Sequence, residues 1–566
     1  MPIRGLRVNP GKYGDLIENT LTDLRESSVL DRMWSGDYSV WKPEPAGIAD
    51  RLGWLKIAQK MREDAVRLQR FALDVKACGY TNILLLGMGG SSLAPGVFRA
   101  AFGVCDGYPD LAVLDSTDPG AILYHANRLD PAKTLFIVSS KSGTTIETIS
   151  FLKYFYNWMS DRLTAGVAGD HFIAITDPGS SLAELANRYS FRNTYINAPD
   201  IGGRFSALSY FGLVPAALMG VDIRRILDSS LKMEKQCREN DLSMEKGNLG
   251  CILGAVIGTL ARGGRDKLTI ITSPAIECFG SWVEQLIAES TGKEGKGILP
   301  VVSEPVGPPG IYGDDRAFVY LKMAGDDSCD SVVALLEDAG NPLVRLSMDD
   351  LYDLGGQFFL WEMATAVAGH IMGINPFDQP DVEASKILTG KLLEDYGKDG
   401  RLSDETPVLT CDGISVYGKP LSENMEGMLE AFLKQAEPGG YVALQAYLQP
   451  TGETDHALDE LRTKIRDRYK FAATVGYGPR YLHSTGQLHK GDTGRGLFVQ
   501  FTADDARDVP IPDEMESKAS SVSFSVLKRA QAMGDRDVLL NAGRRVMRFH
   551  LGVDVTDGIE TLTATI

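Results

Sequence analysis

The sequence predicts an α/β fold in which two mainly parallel, doubly wound sheets are covered by helices on both faces. Continuous apolar runs such as NILLL at Asn82–Leu86 are typical of strands that are buried on both sides. Segments of helical periodicity separate these runs, and strands that alternate with helices favour parallel sheets. With 566 residues, and roughly 100–200 residues per domain, the chain has room for about three or four domains.

Four segments are predicted: a proline-interrupted helical arm at 1–49, a first α/β domain at 50–225, a second at 226–395, and an α+β extension at 396–566. In the first domain, the predicted helices and strands are Ile48–Ala77, Asn82–Leu86, Leu111–Leu114, Thr134–Val138, Thr145–Ser160, Phe172–Thr176 and Ser181–Tyr189. In the second, they are Asn248–Arg262, Leu268–Thr272, Ala275–Glu289, Phe318–Leu321, Val332–Glu337, Leu343–Leu346 and Gly356–Met372.

The extension has weaker signals. The stretch from Asp395 to Pro420 is rich in Gly and Asp and is predicted to be an insertion or linker. The acidic, proline-bearing stretch Asp504–Ser520 is predicted to be a surface loop. The remaining predicted elements are Tyr441–Leu448, Asp455–Tyr469, Phe471–Val475, Leu497–Phe501, a short helix, and a last strand at Val546–Leu551.

Composition limits the classes of partner and the compartment. The net charge of -17 and the pI of about 5.0 argue against nucleic acid and anionic membranes as main partners. Seven widely spaced cysteines without a CxxC pair fit reduced thiols, and we expect all seven to be small buried core residues. The N-terminal sequence has no apolar signal region, and no apolar run reaches the eighteen or so residues of a membrane span. We therefore expect a cytoplasmic protein.

The motif GMGGSS, Gly87–Ser92, follows a predicted buried strand and precedes a helix. Glycines allow a ligand to approach the backbone closely, and a helix N-terminus offers free amides to an anion. The motif is also compatible with a dinucleotide site, in which Asp115 would bind a ribose, or with a tight turn that binds nothing.

A second loop, SSKSGTTIET at Ser139–Thr148, crowds hydroxyl groups in front of a helix. One helix cap needs one hydroxyl, whereas this loop offers several. A phosphate group, with three terminal oxygens, suits such a cluster of hydroxyls and amides. A dinucleotide-binding domain has no need for this second loop.

Two charged residues are candidates for chemistry. A helix is predicted to start near Arg204 in IGGRFSALSYFG, where a cation opposes the helix dipole at a cost of about 0.3–1 kcal/mol, so an anion should lie nearby. That anion is either a substrate or an ordinary salt-bridge partner. Glu289 shares a helical face with Trp282 and Gln285 and ends its helix, where the dipole raises proton affinity. This position suits a general base, although a plain surface carboxylate is the commoner case.

Five motifs, GMGGSS, SSKSGTTIET, GGRFS, ESTGK and NPFDQPDVEASK, resemble those of glucose-6-phosphate isomerases in order and rough spacing over residues 50–390. The C-terminal YLHSTGQLHKG and FSVLKRAQAMGD resemble the isomerase half of bacterial transaldolase–isomerase fusions, so only the isomerase activity is implied. The resemblance implies two sugar isomerase (SIS) domains of three-layer α/β/α type. It also implies a glycolytic and gluconeogenic isomerase that needs no cofactor or metal and forms a homodimer.

The family's residue roles carry over by position. The resemblance implies that the substrate is bound by Gly90, Ser91, Ser140, the amide of Lys141, Ser142, Thr145, Gly203, Gln285 and Gln379. It implies that Glu289 moves a proton between C2 and C1, that Arg204 stabilises the enediolate, and that Lys386 assists ring opening.

The ring-opening histidine departs from the family's order. Between the base and NPFDQP the chain has only His370, inside an apolar helix, and Arg316 stands where spacing would place the histidine. The segment YLHSTGQLHKG resembles the bacterial histidine motif but follows the lysine motif. We expect it to fold back to the same place, with His483 as first choice and His489 as second.

Other functions remain open from the sequence. A non-catalytic sugar-phosphate-binding protein would keep the serine loop, and a nicotinamide-dependent dehydrogenase would use GMGGSS. An isomerase of broader specificity, which includes mannose 6-phosphate, is a closer variant.

Overall fold

The computed structural model describes residues 5–163, 166–244, 247–403 and 405–566. In chain order, the strands are β1 (Leu6–Asn9), β2 (Asn82–Gly87), β3 (Asp110–Leu114), β4 (Thr134–Ser139), β5 (Phe172–Thr176), β6 (Asn193–Ile196), β7 (Lys267–Thr272), β8 (Leu299–Val301), β9 (Arg316–Met323), β10 (Leu343–Met348), β11 (Leu409–Cys411), β12 (Ile414–Tyr417), β13 (Tyr441–Tyr447), β14 (Ala472–Tyr477), β15 (Gly496–Thr502), β16 (Pro510–Ile511), β17 (Val522–Ser523) and β18 (Arg545–His550).

The helices are α1 (Gly14–Glu26), α2 (Val29–Ser35), α3 (Ile57–Ala77), α4 (Leu93–Phe102), α5 (Pro119–Arg128), α6 (Ile146–Ser160), α7 (Ser181–Arg188), α8 (Tyr210–Leu218), α9 (Ile223–Gln236), α10 (Leu249–Arg262), α11 (Phe279–Thr291), α12 (Asp330–Asp338), α13 (Leu354–Met372), α14 (Val382–Asp399), α15 (Met425–Leu433), α16 (Gly452–Tyr469), α17 (Gly486–Gly491), α18 (Phe524–Asn541) and α19 (Val555–Ala564). Among the described residues, no helix combines the length and apolarity that a bilayer crossing requires.

Two sheets confirm the predicted fold class. The first has the strand order β3-β2-β4-β5-β6 and is parallel throughout. The second has the order β1-β10-β9-β7-β8 and is parallel except for β1, which runs antiparallel to β10. The largest apolar core includes residues of both sheets and of α3, α8, α9, α10, α11 and α13. Nearly every residue of α13 is buried, as expected for a helix that is apolar all round.

The C-terminal sheet has the order β11-β12-β18-β15-β13-β14 and its own apolar core. Its strands β18, β15, β13 and β14 are parallel, and only the pairs that involve β12 are antiparallel. Helices α16 and α18 form the crossovers between its parallel strands. The C-terminal sheet therefore has more parallel strand pairs than we expected of an α+β extension.

Three predictions about the connecting segments need correction. The N-terminal arm is helical only in part, because β1 adds a strand to the second sheet, and the helix predicted from Ile48 begins at Ile57. The stretch at 395–420 is not simply a linker, since α14 continues to Asp399 and two strands of the C-terminal sheet follow. The helix before the last strand is α18, which has 18 residues and is not short.

The predicted surface loop at 504–520 is partly buried. Val509, Ile511 and Met515 belong to the apolar cluster that covers the outer face of the first sheet, together with Phe151 of α6. This segment ties the C-terminal part of the chain to the first sheet. Of the seven cysteines, only Cys237 and Cys251 are buried; Cys78 and Cys411 are exposed, so the expectation that all seven are buried is wrong.

Candidate active site

The two predicted ligand loops lie side by side because they follow adjacent parallel strands. β2 pairs with β4 in a register that ends with Gly87 opposite Ser139. GMGGSS continues from Gly87 and the serine loop continues from Ser139, so both leave the same edge of the sheet. Ligands of open α/β sheets bind at this edge, outside the carboxyl ends of the strands.

The serine loop presents hydroxyl groups that α6 does not use. Thr145 immediately precedes α6, yet its side chain makes no capping hydrogen bond. Its Oγ1 lies 3.1 Å from Ser140 Oγ, which also accepts a hydrogen bond from the Gly143 amide at 3.1 Å. Ser142 is exposed to solvent. Hydroxyls and free amides at a helix start fit a phosphate group.

Lys141 interacts outside the loop through its side chain. Its ammonium group forms an ion pair with Asp177 and donates a hydrogen bond to the carbonyl of Pro199 at 3.0 Å. The side chain is thus occupied, and the backbone amide of Lys141 is the group left for a ligand.

Glycines in GMGGSS let three loops meet. A Cβ on Gly90 would lie 2.1 Å from the carbonyl oxygen of Gly203, so the two backbones are in direct contact. Gly89 has a φ of +54°, and a Cβ there would lie 2.9 Å from the Cβ of His483. Ser91, which follows Gly90, is buried. Only glycine allows the first loop to contact both the arginine turn and the histidine turn.

Arg204 does not start a long helix, which corrects the prediction from sequence. It lies in a short 3-10 turn, Gly203–Phe205, and α8 begins only at Tyr210. The helix dipole therefore gives no reason for an anion near Arg204.

Arg204 is held by buried polar groups instead. Its side chain is 2% exposed and lies 3.3 Å from a carboxylate oxygen of Glu289. Its donors bind Ser290 Oγ at 2.7 Å, Gln379 Oε1 at 3.0 Å, the Pro376 carbonyl at 2.6 Å and the Asp378 carbonyl at 2.9 Å. Burial lowers the pKa of Arg204, and the charges of Glu289 and Asp378 oppose that shift. The guanidinium group remains charged because its ordinary pKa lies far above neutral pH.

Glu289 lies in the last turn of α11, as predicted, and its side chain is 12% exposed. Gln285, one turn earlier, donates to Glu289 Oε2 at 3.2 Å and to the backbone carbonyl of His483 at 2.7 Å. Its own Oε1 is buried and has no hydrogen-bond partner among the described residues. Gln285 thus connects the candidate base to the candidate histidine and keeps one acceptor free for a ligand.

His483 pairs with a residue that the sequence analysis missed. Its Nε2 lies 3.1 Å from Oε1 of Glu147, at the start of α6. Burial raises the pKa of Glu147, but His483 and Lys386 more than offset that effect and hold the pKa below its usual value. Glu147 is therefore an anion at neutral pH, and it accepts a hydrogen bond from the Nε2–H group of His483. The signal that the sequence offered for Glu147 was its place within the SSKSGTTIET motif, six residues after Lys141.

Lys386 lines a cavity of about 460 Å³ together with Ser142, Thr145, Glu147 and His483. Its side chain is 56% exposed and its ion-pair partner among the described residues is Glu383, at 3.5 Å. The cavity thus combines the serine loop, the histidine pair and an exposed cation from α14. Gln379, just before α14, is exposed and reaches the site through Arg204.

Lys293 is a second residue that the sequence analysis missed. It follows α11, and its buried ammonium group lies 2.7 Å from Asp378 Oδ1. Burial and the charge of Arg204 lower the pKa of Lys293 to about 8, against the effect of Asp378. Lys293 therefore fastens the NPFDQP loop to the end of the base helix.

The other histidine candidates do not reach the cavity. His489 is buried against Tyr441 and Phe498, and burial holds its pKa well below the usual value. His370 contacts the carbonyl of Val40 at 2.6 Å. Arg316 is fully buried and paired with Glu304. These three side chains therefore have structural roles.

Asp115 is not free for a ribose. Its carboxylate lies 3.8 Å from Arg480, in the turn Arg480–His483 that carries the histidine. The geometry of the first loop therefore favours a compact phosphate site over a dinucleotide site.

The family model described as phosphoglucose isomerase matches residues 56–308. This range contains the GMGGSS turn, the serine loop, Arg204 and Glu289. A little under half of the chain therefore matches the phosphoglucose isomerase family. Since the match ends at residue 308, the histidine turn and α18 lie outside it.

Relatives agree with this assignment. A protein of Rubrobacter xylanophilus named glucose-6-phosphate isomerase is 29% identical over 403 residues, which cover 62% of this chain and 90% of the relative. One of Methanococcus maripaludis, named as a probable glucose-6-phosphate isomerase, is 29% identical over 378 residues, or 58% of this chain and 83% of the relative.

Solved structures support the fold. A hypothetical protein of Thermus thermophilus matches with a TM-score of 0.57 and 24% identity, over 68% of this chain and 99% of that one. A glucose-6-phosphate isomerase from Chlamydia trachomatis matches with a TM-score of 0.57 and 19% identity, over 68% of this chain and 86% of that one. The fold of these two structures thus covers about two thirds of the chain.

Proposed function

We propose that this protein interconverts glucose 6-phosphate and fructose 6-phosphate through ring opening and a cis-enediol intermediate. One observation carries the proposal: a single amide, Gln285, bonds both the Glu289 carboxylate and the backbone of His483, beside the hydroxyl loop. A phosphate site, a carboxylate base and a histidine are the three parts that a sugar-phosphate isomerase needs. Here Gln285 links the carboxylate to the histidine turn, and His483 lines the same cavity as Ser142 and Thr145 of the serine loop.

The phosphate binds first. The hydroxyls of Ser140, Ser142 and Thr145 and the amide of Lys141 hold its oxygens at the start of α6. The backbones of Gly90 and Gly203 lie so close together that no side chain fits between them. Anchoring the phosphate fixes the distance between the far end of the sugar and the base, which is the main role of remote binding groups.

His483 and Lys386 together open the sugar ring. Because Glu147 accepts a hydrogen bond from His483 Nε2–H, the proton stays on Nε2, and the other ring nitrogen, Nδ1, is available to exchange a proton with the substrate. Lys386 lies in the same cavity and supplies positive charge near the ring oxygen. The proton moves between the ring oxygen and O1, and the sugar opens.

Isomerisation of the open sugar falls to Glu289. The carboxylate removes the proton from C2, electrons shift toward the C1 oxygen, and a cis-enediolate forms. Arg204, 3.3 Å from Glu289, stabilises the negative charge that develops. A proton then passes from O2 to O1, and Glu289 delivers its proton to C1, so that C2 becomes the carbonyl carbon of the ketose. Gln379 and Gln285 hold the sugar hydroxyls.

The test is a coupled assay of fructose 6-phosphate isomerisation. Glu289→Gln keeps the shape and removes the base, so we expect kcat to fall by roughly 10²–10⁴-fold. Glu284→Gln is a matched control on the same helix, at a residue that lines a different cavity, and it should keep most of the activity at pH 7.5. Retained turnover in Glu289→Gln would contradict the proposal.

We further propose a cytoplasmic homodimer. The acidic surface and the absence of CxxC pairs from the sequence support the compartment. The described site draws its groups from one chain, so dimerisation need not supply the histidine. Sedimentation velocity tests the dimer, and activity over a dilution series tests whether one chain supplies the complete site.

A further inference from the structure

Helix α18 carries a row of buried polar side chains on one face. Lys528, Gln531 and Asp535 follow a spacing of three and four residues, so they lie on one side of the helix. All three are at most 3% exposed. This segment, FSVLKRAQAMGD, has no role in the proposed mechanism so far.

The two outer residues fix the helix by ion pairs. Lys528 binds Asp118 at 2.7 Å, in the loop before α5 of the first sheet. Asp535 binds Lys490 at 2.6 Å, and accepts a hydrogen bond from Tyr481 at 2.7 Å. Buried ion pairs add little net stability, because desolvation offsets their attraction, but their geometry sets register. The middle of this face is thus held between the first sheet and the histidine turn.

Gln531 lies between these anchors and contacts the histidine pair. Its Nε2 donates to Oε1 of Glu147 at 2.7 Å, the same oxygen that faces His483. Its Oε1 accepts a hydrogen bond from Thr117 at 2.9 Å, which fixes the orientation of the amide. Gln531 also lines the cavity that holds Lys386.

We propose that Gln531 is a positioning residue of the ring-opening step, which acts by holding the Glu147 carboxylate beneath His483. The inference rests on the proposed isomerase function. A buried carboxylate with two donors on one oxygen is fixed in rotation and stays ionised. An ionised Glu147 keeps the proton on His483 Nε2 and leaves Nδ1 free. The C-terminal part of the chain, outside the family match, thereby sets the protonation state of the histidine.

The test compares Gln531→Leu and Gln531→Glu with wild type and with Gln500→Leu, all as the full chain. Gln500 is a matched control, because it is also buried and donates to α18, at the Ala532 carbonyl, without contact to Glu147. We expect Gln531→Leu to lower kcat on glucose 6-phosphate roughly 10- to 100-fold, with little change in KM. Loss of the hydrogen bond from Gln531 should raise the pKa of Glu147, so the acidic limb of the pH profile of kcat should move to higher pH.

Gln531→Glu is close in shape and covers the case in which the leucine variant does not fold. A second carboxyl beside Glu147 should move the acidic limb further, because two carboxyls at this distance share a proton. A hexose 6-phosphate without its C4 and C5 hydroxyls, which cannot close a ring, should be converted by both variants at near wild-type rates.

Two results would overturn the inference. One is a wild-type pH profile and kcat in both Gln531 variants. The other is an equal loss in Gln500→Leu, or an equal loss on the open-chain analogue, since either would indicate a general packing effect. Glu289→Gln, assayed in parallel, separates the two levels: if it stays active, the proposed function fails, and if it alone is inactive, only the role of Gln531 fails.

Discussion

In the proposed active site, the base half, formed by Arg204, Gln285 and Glu289, differs from the phosphate half, formed by Ser140, Ser142 and Thr145, in how its groups are held. The Arg204 side chain is 2% exposed and makes hydrogen bonds to four other groups. In the phosphate half, Ser142 is exposed, and the hydroxyls bond mainly to one another and to the loop. The base half is arranged before substrate arrives, whereas the phosphate half keeps its bonding capacity for a ligand.

This difference fits the chemistry that we propose for each half. Groups that stabilise a developing charge work best when they need no rearrangement, and burial strengthens their field. Groups that capture a ligand from water must be reachable. The comparison predicts that changes in the base half lower kcat and stability together, and that changes in the phosphate half raise KM alone.

The largest effect is expected for Arg204→Ala. Loss of the cation should lower kcat by roughly 10²–10³-fold and leave Glu289 beside uncompensated carbonyl groups, which should cost about 3 kcal/mol of unfolding free energy. Arg462→Ala is a suitable control, because Arg462 is equally buried and binds the carbonyls of Val302 and Ser303 away from the cavity. It should lose stability and keep its kcat, as measured by urea denaturation and the coupled assay.

His483→Ala should have the next largest effect and should depend on the substrate. We expect a fall of about 10²-fold in kcat on cyclic glucose 6-phosphate and little change on an analogue that cannot cyclise. Stopped-flow assays of both substrates measure the ratio. Equal losses on the two substrates would place His483 in the proton transfer between carbons.

A smaller effect is expected in the phosphate half. Ser142→Ala and Thr145→Val each remove one hydrogen bond to a charged group, which is worth about 1.5 kcal/mol, so KM should rise roughly tenfold at constant kcat. Competitive inhibition by inorganic phosphate should weaken in parallel. An unchanged inhibition constant would show that the serine loop is not the phosphate site.

The smallest effect on activity is expected at Glu284, beside the histidine turn, where only the stability should change. Burial raises its pKa to about 7, although Arg480 and Arg462 oppose the shift. The native state therefore binds more protons than the unfolded state between about pH 4.5 and 7, so this contribution to stability is present at low pH and is lost as pH rises. Relative to wild type, Glu284→Gln should become more stable by roughly 1–3 kcal/mol between about pH 5 and 7.5, measured by urea denaturation.

The sequence predicted those features of the site that have local signals. Continuous apolar runs located the strands of the first sheet, and the turns that follow them contained both ligand loops. The position of Glu289 near the end of α11 was predicted correctly because the helical periodicity of the sequence continues to that point. The family resemblance added His483, and the structure places it next to the glycine turn.

What the sequence missed depends on contacts between distant parts of the chain. Gln531 meets Glu147 across 384 positions, and nothing near either residue signals the pair. The burial of Val509 and Ile511 was missed because isolated apolar residues in an acidic stretch show no period. The prediction of a helix start at Arg204 was wrong because the residue types that begin an α-helix also occur in a short 3-10 turn.

The first strand has a practical consequence for anyone who shortens this protein. β1 covers the outer side of β10 from Leu343 to Leu346, and without it that strand would present unpaired amides and carbonyls along an apolar stretch. Such a row is a template for another copy of the same strand. A version trimmed before Pro10 should therefore precipitate or form oligomers on storage, even though every residue of the catalytic cavity is still present.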